Sequence, residues 1–269
     1  MGFAVVVGAA LAGGEYVPNH PQGLLLGFST SFLLCGAAMV INDYYDREID
    51  AINEPMRPIP EGTISPIEAL VFASVLTVTG LSVAVLTGRV PNWQCLTLAI
   101  ISWVITVLYV TKGKEKGLLG NFMVSTCISV PFIYGAFVVE AGLLSTTAIF
   151  VAIVFLSNTG REITKGIVDV QGDKCNDIRT VAVLFGEKKA SIVAAFFYLS
   201  AVLLTPVPLL LEIVSFWYIP FVVLTDVGMV VASLLLVLNP SKENARTTKN
   251  RSLLWFFTGL LAFVAGAFG

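Results

Sequence analysis

The sequence predicts an all-α membrane protein, a bundle of about nine transmembrane helices around a central cavity that faces the cytoplasm. Three observations predict this fold. The 269 residues are 56% hydrophobic and only 13% charged, with a mean hydropathy of +0.86, so the chain is more apolar than an average soluble domain. Long apolar runs recur along the whole chain, and the cations are concentrated between alternate runs.

Eight apolar runs are candidates to cross a hydrocarbon core of about 30 Å as helices. They cover residues 23–41, 67–87, 93–111, 118–139, 143–160, 190–211, 216–238 and 253–268. A ninth run, 2–12, is too short to span alone, so we interpret it as the second half of a first helix. The whole chain, 1–269, is predicted to form a single transmembrane domain. The start of the second long run, Ser65-Pro66-Ile67-Glu68, predicts a capping box, which gives Glu68 a structural role.

The distribution of cations predicts the orientation. Four segments that alternating helices place on one face, 42–65, 112–117, 161–189 and 239–251, hold fifteen of the sixteen Lys and Arg residues, and Arg89 lies on the other face. Cations of short loops stay in the cytoplasm, so these segments are predicted to be cytoplasmic in a multi-pass protein of the cell membrane. A net charge of −2 argues against a nucleic-acid partner, which would need a basic surface.

Carboxylates on the same face need a second explanation, because orientation is nearly indifferent to Asp and Glu. Two motifs repeat an interval of four residues: N-D-Y-Y-D-R-E-I-D with Asn42, Asp46 and Asp50, and D-V-Q-G-D-K-C-N-D with Asp169, Asp173 and Asp177. Helical residues at that interval lie about 5–6 Å apart on one face, where like charges repel. A cation removes the repulsion, and we interpret both rows as oxygen ligands for Mg²⁺.

A polar stripe continues the second row back into the apolar run 143–160. Its members, at helical spacing, are Asn158, Glu162, Lys165, Asp169 and Asp173, with Arg161 beside them. Ionisable residues at such depth usually face a water-filled cavity and mark a substrate path. The loop lysines Lys112 and Lys114 are explained equally well as orientation signals. Together with Arg57, Arg161, Lys165 and the carboxylates, they favour a diphosphate held between Mg²⁺ and basic side chains.

The first motif resembles the N-D-x-x-D-x-x-x-D signature of the UbiA-type intramembrane prenyltransferases, and Asp169-x-x-x-Asp173 is similar to their second aspartate motif. The runs D-A-I-N-E-P-M-R-P-I-P-E-G and G-R-E-I-T-K-G-I-V-D-V-Q-G-D look most like the archaeal subgroup, the digeranylgeranylglyceryl phosphate synthases. The resemblance implies a lipid-embedded enzyme of archaeal ether-lipid synthesis. Its Mg²⁺-dependent reaction would transfer a geranylgeranyl group from an isoprenyl diphosphate to the hydroxyl of a lipid-like acceptor, geranylgeranylglyceryl phosphate, and release diphosphate.

Motif position carries the family's site onto this chain. The resemblance assigns the Mg²⁺ and diphosphate site to Asn42, Asp46, Asp50, Asp169 and Asp173. It also implies a tyrosine–lysine motif after the fourth span, which in the family usually has a spacing of four. Tyr109 finds Lys112 at three residues and Lys114 at five, so both lysines remain candidates. The further candidate substrate contacts are Arg57, Asn158, Arg161 and Lys165.

Two other functions remain open at this stage. A member of the same family with an aromatic or haem acceptor would use the same donor site, because the acceptor is chosen by the shape of the cavity. A divalent-cation transporter would need acidic residues near the middle of the bilayer, and only Asp226 is a candidate.

Overall fold

The computed structural model describes residues 1–13, 17–87, 92–140, 144–175 and 178–267, apart from the side chains of residues 52 and 53. These residues are mainly helical, and none of them forms a β-strand. The α-helices are α1 (Gly2–Gly13), α2 (Pro21–Asn53), α3 (Pro58–Glu61), α4 (Pro66–Val85), α5 (Trp93–Leu108), α6 (Leu118–Val138), α7 (Ser145–Val168), α8 (Val170–Cys175), α9 (Val181–Phe185), α10 (Glu187–Leu204), α11 (Val207–Leu210), α12 (Tyr218–Leu238) and α13 (Lys242–Ala267). A 3₁₀ turn covers Val17–Asn19, and a π-turn covers Tyr109–Gly113.

Within the described ranges, seven helices are long and apolar enough to cross a membrane: α2, α4, α5 with its π-turn, α6, α10, α12 and α13. Helix α1 is apolar but has only 12 residues. Helix α7 has 24 residues, but polar side chains fill its second half. The prediction of an all-α, multi-pass membrane protein is therefore confirmed, whereas the count of nine spans stays a prediction.

The cation-rich segments contain more helix than predicted. Helix α2 continues through residues 42–53, so the first motif lies on the end of a long helix and not in a loop. It ends before Pro55, since a residue that precedes proline avoids the helical conformation. Helix α7 likewise continues past residue 160 to Val168, and α8 and α9 occupy much of the segment that follows.

The last helix also differs from the sequence prediction. Helix α13 begins at Lys242, well before the apolar run 253–268. Its start is favoured by Ser241, whose hydroxyl accepts a hydrogen bond from the backbone N–H of Asn244 at 3.4 Å. Hydropathy marks only the part of a helix that lies in lipid, so polar extensions of this kind are read as loops. Arg89, the single cation predicted on the opposite face, lies outside the described residues.

The start of α4 is as predicted. The Ser65 hydroxyl accepts a hydrogen bond from the backbone N–H of Glu68 at 3.2 Å, and the Glu68 carboxylate accepts one from the backbone N–H of Ser65 at 2.8 Å. These two bonds form the capping box, with Pro66 at the first helical position. Glu68 is therefore occupied by the helix start.

Helix α6 lies at the centre of the bundle. It packs against α1, α5 and α7, while α2 packs against α4, α10 against α7, and α12 against α13. The contact with α1 is made by glycines. A Cβ on Gly8 would meet the backbone of Phe132, and a Cβ on Gly135 would meet the backbone of Val5. Only glycine permits so close an approach of two helix backbones.

Candidate active site

The first motif lies at the polar end of α2. Its members Asn42 and Asp46 are one turn apart, and the Asn42 side-chain amide donates a hydrogen bond to the Asp46 carboxylate at 2.8 Å. Asp50, the third member, has a side chain that is only 11% exposed. The helical spacing predicted from the sequence therefore brings these three side chains onto one face, with the Asn42 amide oxygen left available as a ligand.

A cation neutralises each aspartate of this row. Lys114 Nζ lies 2.6 and 2.8 Å from the two carboxylate oxygens of Asp46. The Arg57 guanidinium donates to Asp50 at 2.8 Å, to Asp43 at 3.1 Å and to Glu54 at 2.8 Å. Arg57, predicted to bind phosphate oxygens, is thus engaged by three carboxylates of its own segment. Such charge-assisted bonds fix the orientation of both aspartates.

The π-turn after α5 explains why Lys114 reaches Asp46. In this turn the backbone N–H of Lys114 donates to the carbonyl of Tyr109 at 3.0 Å, five residues earlier. An i→i+5 turn is one residue wider than an α-helical turn, so a spacing of five places Lys114 one turn beyond Tyr109. Lys112 is exposed and makes no ion pair with any described residue. The structure therefore favours Lys114 over Lys112, which the sequence left undecided.

The second motif begins where α7 ends. Asp169 follows the last residue of α7, and Asp173 lies on α8 one turn later, with its backbone N–H donating to the Asp169 carbonyl at 2.9 Å. Burial and the neighbouring Asp169 carboxylate raise the pKa of Asp173 to about 6, although a hydrogen bond from Thr180 and the charge of Lys165 oppose the shift. The two carboxylates of this second row therefore repel each other in a partly buried position. Its third predicted member, Asp177, lies outside the described residues.

A buried carboxylate and two cations precede this row on α7. Glu162 has a side chain that is only 9% exposed, and its oxygens lie 3.5 Å from Arg161 and 3.5 Å from Lys165. Arg161 keeps its Nε buried and without a hydrogen-bond partner among the described residues. A buried guanidinium N–H without a partner is costly, and an anionic ligand would satisfy it. Glu162 belongs to the predicted stripe, but the sequence alone does not mark it as a site residue.

Tyr109 lies between the two rows. The carboxylates of Asp46, Glu162 and Asp173 are all close enough to interact electrostatically with its hydroxyl. The first motif on α2, the π-turn after α5 and the second motif after α7 therefore meet in one polar region, although they are distant in the sequence.

Two apolar cavities extend from this region into the bundle. The first, which we call the α2 cavity, has a volume of about 360 Å³ and lies between α2, α5 and α6. Asn42 and Tyr109 line its polar end, and Thr30 and Tyr134 line its deep end. Its wall is otherwise mainly apolar, with Met39 reaching the lipid-facing surface.

The second, which we call the α13 cavity, has a volume of about 260 Å³ and lies between α6, α7, α12 and α13. Asn158 is buried at its polar end and donates a hydrogen bond to Ser125 at 3.1 Å. This residue, predicted as a substrate contact, thus belongs to the second cavity. Ile128 on α6 lines both cavities.

The oxygen ligands fit a hard divalent cation without forming a complete cage. Carboxylates and an amide oxygen are ligands that Mg²⁺ accepts. In the part of the chain that the structure describes, however, no three Asp, Glu, His or Cys side chains form a group that could hold a metal. Mg²⁺ commonly uses one or two carboxylates and completes its shell with substrate phosphates and water. The residues therefore fit a metal that is bound together with a diphosphate.

The surroundings of Asp226 indicate a structural role. Its carboxylate accepts a hydrogen bond from the Thr205 hydroxyl at 2.7 Å, across the contact between α10 and α12. Its other oxygen is buried and has no partner among the described residues. A lone carboxylate of this kind gives no path for a cation across the bilayer.

This arrangement of helices, carboxylate rows and apolar cavities is that of an intramembrane prenyltransferase, and the chain belongs to the UbiA prenyltransferase family, whose model matches residues 1–267. Among curated proteins, it is similar to a digeranylgeranylglyceryl phosphate synthase from Archaeoglobus fulgidus, with 34% identity over 99% of this chain and 90% of the relative. The family assignment identifies an enzyme and replaces the transporter alternative.

Solved structures agree with this assignment. A structure described as digeranylgeranylglyceryl phosphate synthase in membranes matches with a TM-score of 0.83 and 31% identity, over 99% of this chain and 92% of the other. A UbiA homolog from Archaeoglobus fulgidus bound to GPP and Mg²⁺ matches with a TM-score of 0.69 over 96% and 94% of the two chains. At 16% identity, this second match shows the fold alone.

Proposed function

We propose that this chain transfers a geranylgeranyl group from geranylgeranyl diphosphate to the free hydroxyl of geranylgeranylglyceryl phosphate. The observation that carries the proposal is the meeting of two aspartate rows, Lys114 and Tyr109 at the polar ends of two apolar cavities. The relatives named digeranylgeranylglyceryl phosphate synthase support the choice of substrates. The chain would act as one domain in the cell membrane.

In the proposed reaction, the bond between C1 of the allylic chain and the diphosphate oxygen breaks, and its electron pair leaves with the diphosphate. The acceptor hydroxyl oxygen forms the new bond to C1, and its proton passes to an oxygen of the released diphosphate. Lys114 would stabilise the charge that develops on the diphosphate. The apolar α2 cavity would hold the donor chain and exclude water, which would otherwise capture the allylic cation.

The proposed metal is Mg²⁺, held by Asn42, Asp46, Asp50, Asp169 and Asp173. A homologous structure that contains GPP and Mg²⁺ supports this choice. When bound, Mg²⁺ supplies Lewis-acid stabilisation of the departing diphosphate. The aspartates would also orient the diphosphate so that C1 faces the acceptor.

The proposed contacts for the acceptor phosphate are Arg161 and Lys165. Arg161 and Lys165 follow the cavity-lining Asn158 by about one and two turns of α7, and the Arg161 Nε has no hydrogen-bond partner among the described residues. A phosphate monoester carries up to two negative charges and could pair with both cations, whereas a hydroxybenzoate carries a single carboxylate. This difference favours a phosphorylated acceptor over the aromatic alternative.

Product formation with different acceptors tests the proposal. Purified protein with Mg²⁺ and labelled geranylgeranyl diphosphate is incubated with geranylgeranylglyceryl phosphate, a hydroxybenzoate or haem. We expect labelled ether product only with the glycerol phosphate acceptor and only when Mg²⁺ is present. Product from hydroxybenzoate or haem, and none from geranylgeranylglyceryl phosphate, would identify a different acceptor class.

Cysteine labelling tests the orientation. Cys175 on α8 is exposed, and we expect a membrane-impermeant maleimide to label it only after permeabilisation of the cell, because α8 lies on the cation-rich face. The matched control is Leu211→Cys in a Cys175→Ser background, since Leu211 is exposed at the opposite end of α10 and α11. Labelling of Cys175 in intact cells would reverse the proposed topology.

A further inference from the structure

The α13 cavity is elongated and runs parallel to the four helices that line it. Its lining begins at Asn158 on α7 and Trp255 on α13, and it ends at Phe150 and Phe263 on those two helices. Eight residues separate the two ends on each helix, which corresponds to a depth of ~12 Å. The cavity is therefore an elongated apolar channel with its polar end towards the candidate active site.

Its polar end adjoins the unsatisfied cation. Arg161 is three residues after Asn158 on α7, a rise of ~4.5 Å or about one turn. The buried Nε of Arg161 has no hydrogen-bond partner among the described residues. A ligand with an anionic head and an apolar tail would satisfy both features at once, because its head would meet Arg161 while its tail entered the cavity.

The α13 cavity also reaches the lipid. Phe257 lines it and is 56% exposed on the outer face of α13. A hydrocarbon chain can thus enter sideways from the bilayer without its head leaving the membrane surface. The α2 cavity has a separate approach at Met39 on α2, and α6 separates the two cavities.

We propose that the α13 cavity binds the isoprenoid tail of the acceptor lipid, with the acceptor phosphate at Arg161. The inference rests on the proposed function, in which two lipids with long isoprenoid tails must be bound at the same time. Because α6 divides the apolar space, the two tails would lie in separate cavities. The donor tail would occupy the α2 cavity and the acceptor tail the α13 cavity, and their heads would meet near Tyr109.

Gly259 on α13 offers a position at which to narrow the second cavity. It lines the cavity, and a Cβ there would make an ordinary contact with Thr225 at 3.4 Å. Leucine is also a better helix former than glycine, so the helix itself is not weakened. In Gly259→Leu we expect the KM for geranylgeranylglyceryl phosphate to rise by roughly 10-fold or more. The KM for geranylgeranyl diphosphate should stay unchanged.

An acceptor with a shorter tail provides the decisive comparison. Geranylglyceryl phosphate needs less of the cavity, so Gly259→Leu should use it as well as the wild type does. Loss of activity with both acceptors in equal measure, or a change in the KM of the donor alone, would overturn the proposal. If Gly259→Leu does not fold, Ile153→Phe on the facing wall of the cavity takes its place with the same expectations.

Two further variants complete the design. Ala38→Leu narrows the α2 cavity and should raise the KM of the donor without changing that of the acceptor. Leu254→Phe alters a lipid-exposed position on α13 outside both cavities and should leave both values unchanged. Failure of the wild type to form product would refute the proposed function itself. A normal wild type with an unaffected Gly259→Leu would refute only the placement of the tail.

Discussion

Asp46→Ala and Asp173→Ala each lower the rate of prenyl transfer by about 10²-fold or more, if both rows hold one complex of metal and diphosphate. Each change removes a carboxylate from the polar region around Tyr109. The measurement is steady-state turnover of folded, purified variants at saturating Mg²⁺. The double variant should be little slower than either single one, because residues that act as a unit lose their effect together.

The matched control for this prediction is Glu48→Ala. Glu48 lies on the same helix end as Asp46, but its side chain is 84% exposed, and among the described residues its only ion pair is with Arg47. We expect it to retain wild-type turnover, since exposed ion pairs contribute little. Near-normal turnover of Asp46→Ala or Asp173→Ala in a folded protein would contradict the metal site.

Lys114→Gln produces the second large effect. Loss of a charge-assisted hydrogen bond to the diphosphate corresponds to about 1.5–3 kcal/mol, or roughly 10- to 150-fold in kcat/KM. Lys112→Gln is the sharpest comparison, because its side chain is exposed and unpaired among the described residues. Its effect should be much smaller, and Lys249→Gln on α13 should have none. Membrane insertion, scored separately, should be normal in all three variants.

Equal activity of the three lysine variants would indicate that these cations only set the orientation of the chain in the membrane. A larger loss in Lys112→Gln than in Lys114→Gln would instead show that the π-turn does not select the lysine. Both outcomes are distinct from misfolding, because insertion is measured independently of turnover.

Much of the site could be predicted from residue spacing. Asn42, Asp46 and Asp50 share a face because a helix returns to the same side after four residues, and this rule needs no tertiary contact. The capping box at Ser65 and Glu68 is equally local. Long apolar runs predicted most of the membrane helices for a similar reason, since the bilayer fixes the length that a helix needs.

The choice of Lys114 could not be predicted, because it depends on a π-turn. A turn of that width has no residue pattern of its own, and it changes the phase of every residue beyond it. The partners of Arg57 could not be predicted from the sequence either. Sequence places Asp43, Asp50 and Glu54 near it, but side-chain contacts across the turn decide whether it meets these carboxylates or a phosphate.

The two cavities could not be predicted either, because they arise from packing between helices that are distant in the sequence. Asn158 looked like part of one continuous polar stripe leading to the aspartates. Its hydrogen bond to Ser125 on α6 instead holds it at the end of the α13 cavity. No periodicity along α7 contains that information.

The glycine contact between α1 and α6 bears on how the bundle can deform. Backbone atoms have no rotamers, so a helix crossing made by backbone cannot adjust in the small steps available to interlocked side chains. Helix α6 should therefore stay fixed relative to α1 where the two backbones meet at Gly135, whereas the outer walls retain side chains that can repack. Room for longer or bulkier tails should then come from outward movement of α2 or α13, while α6, which both cavities share, keeps its position.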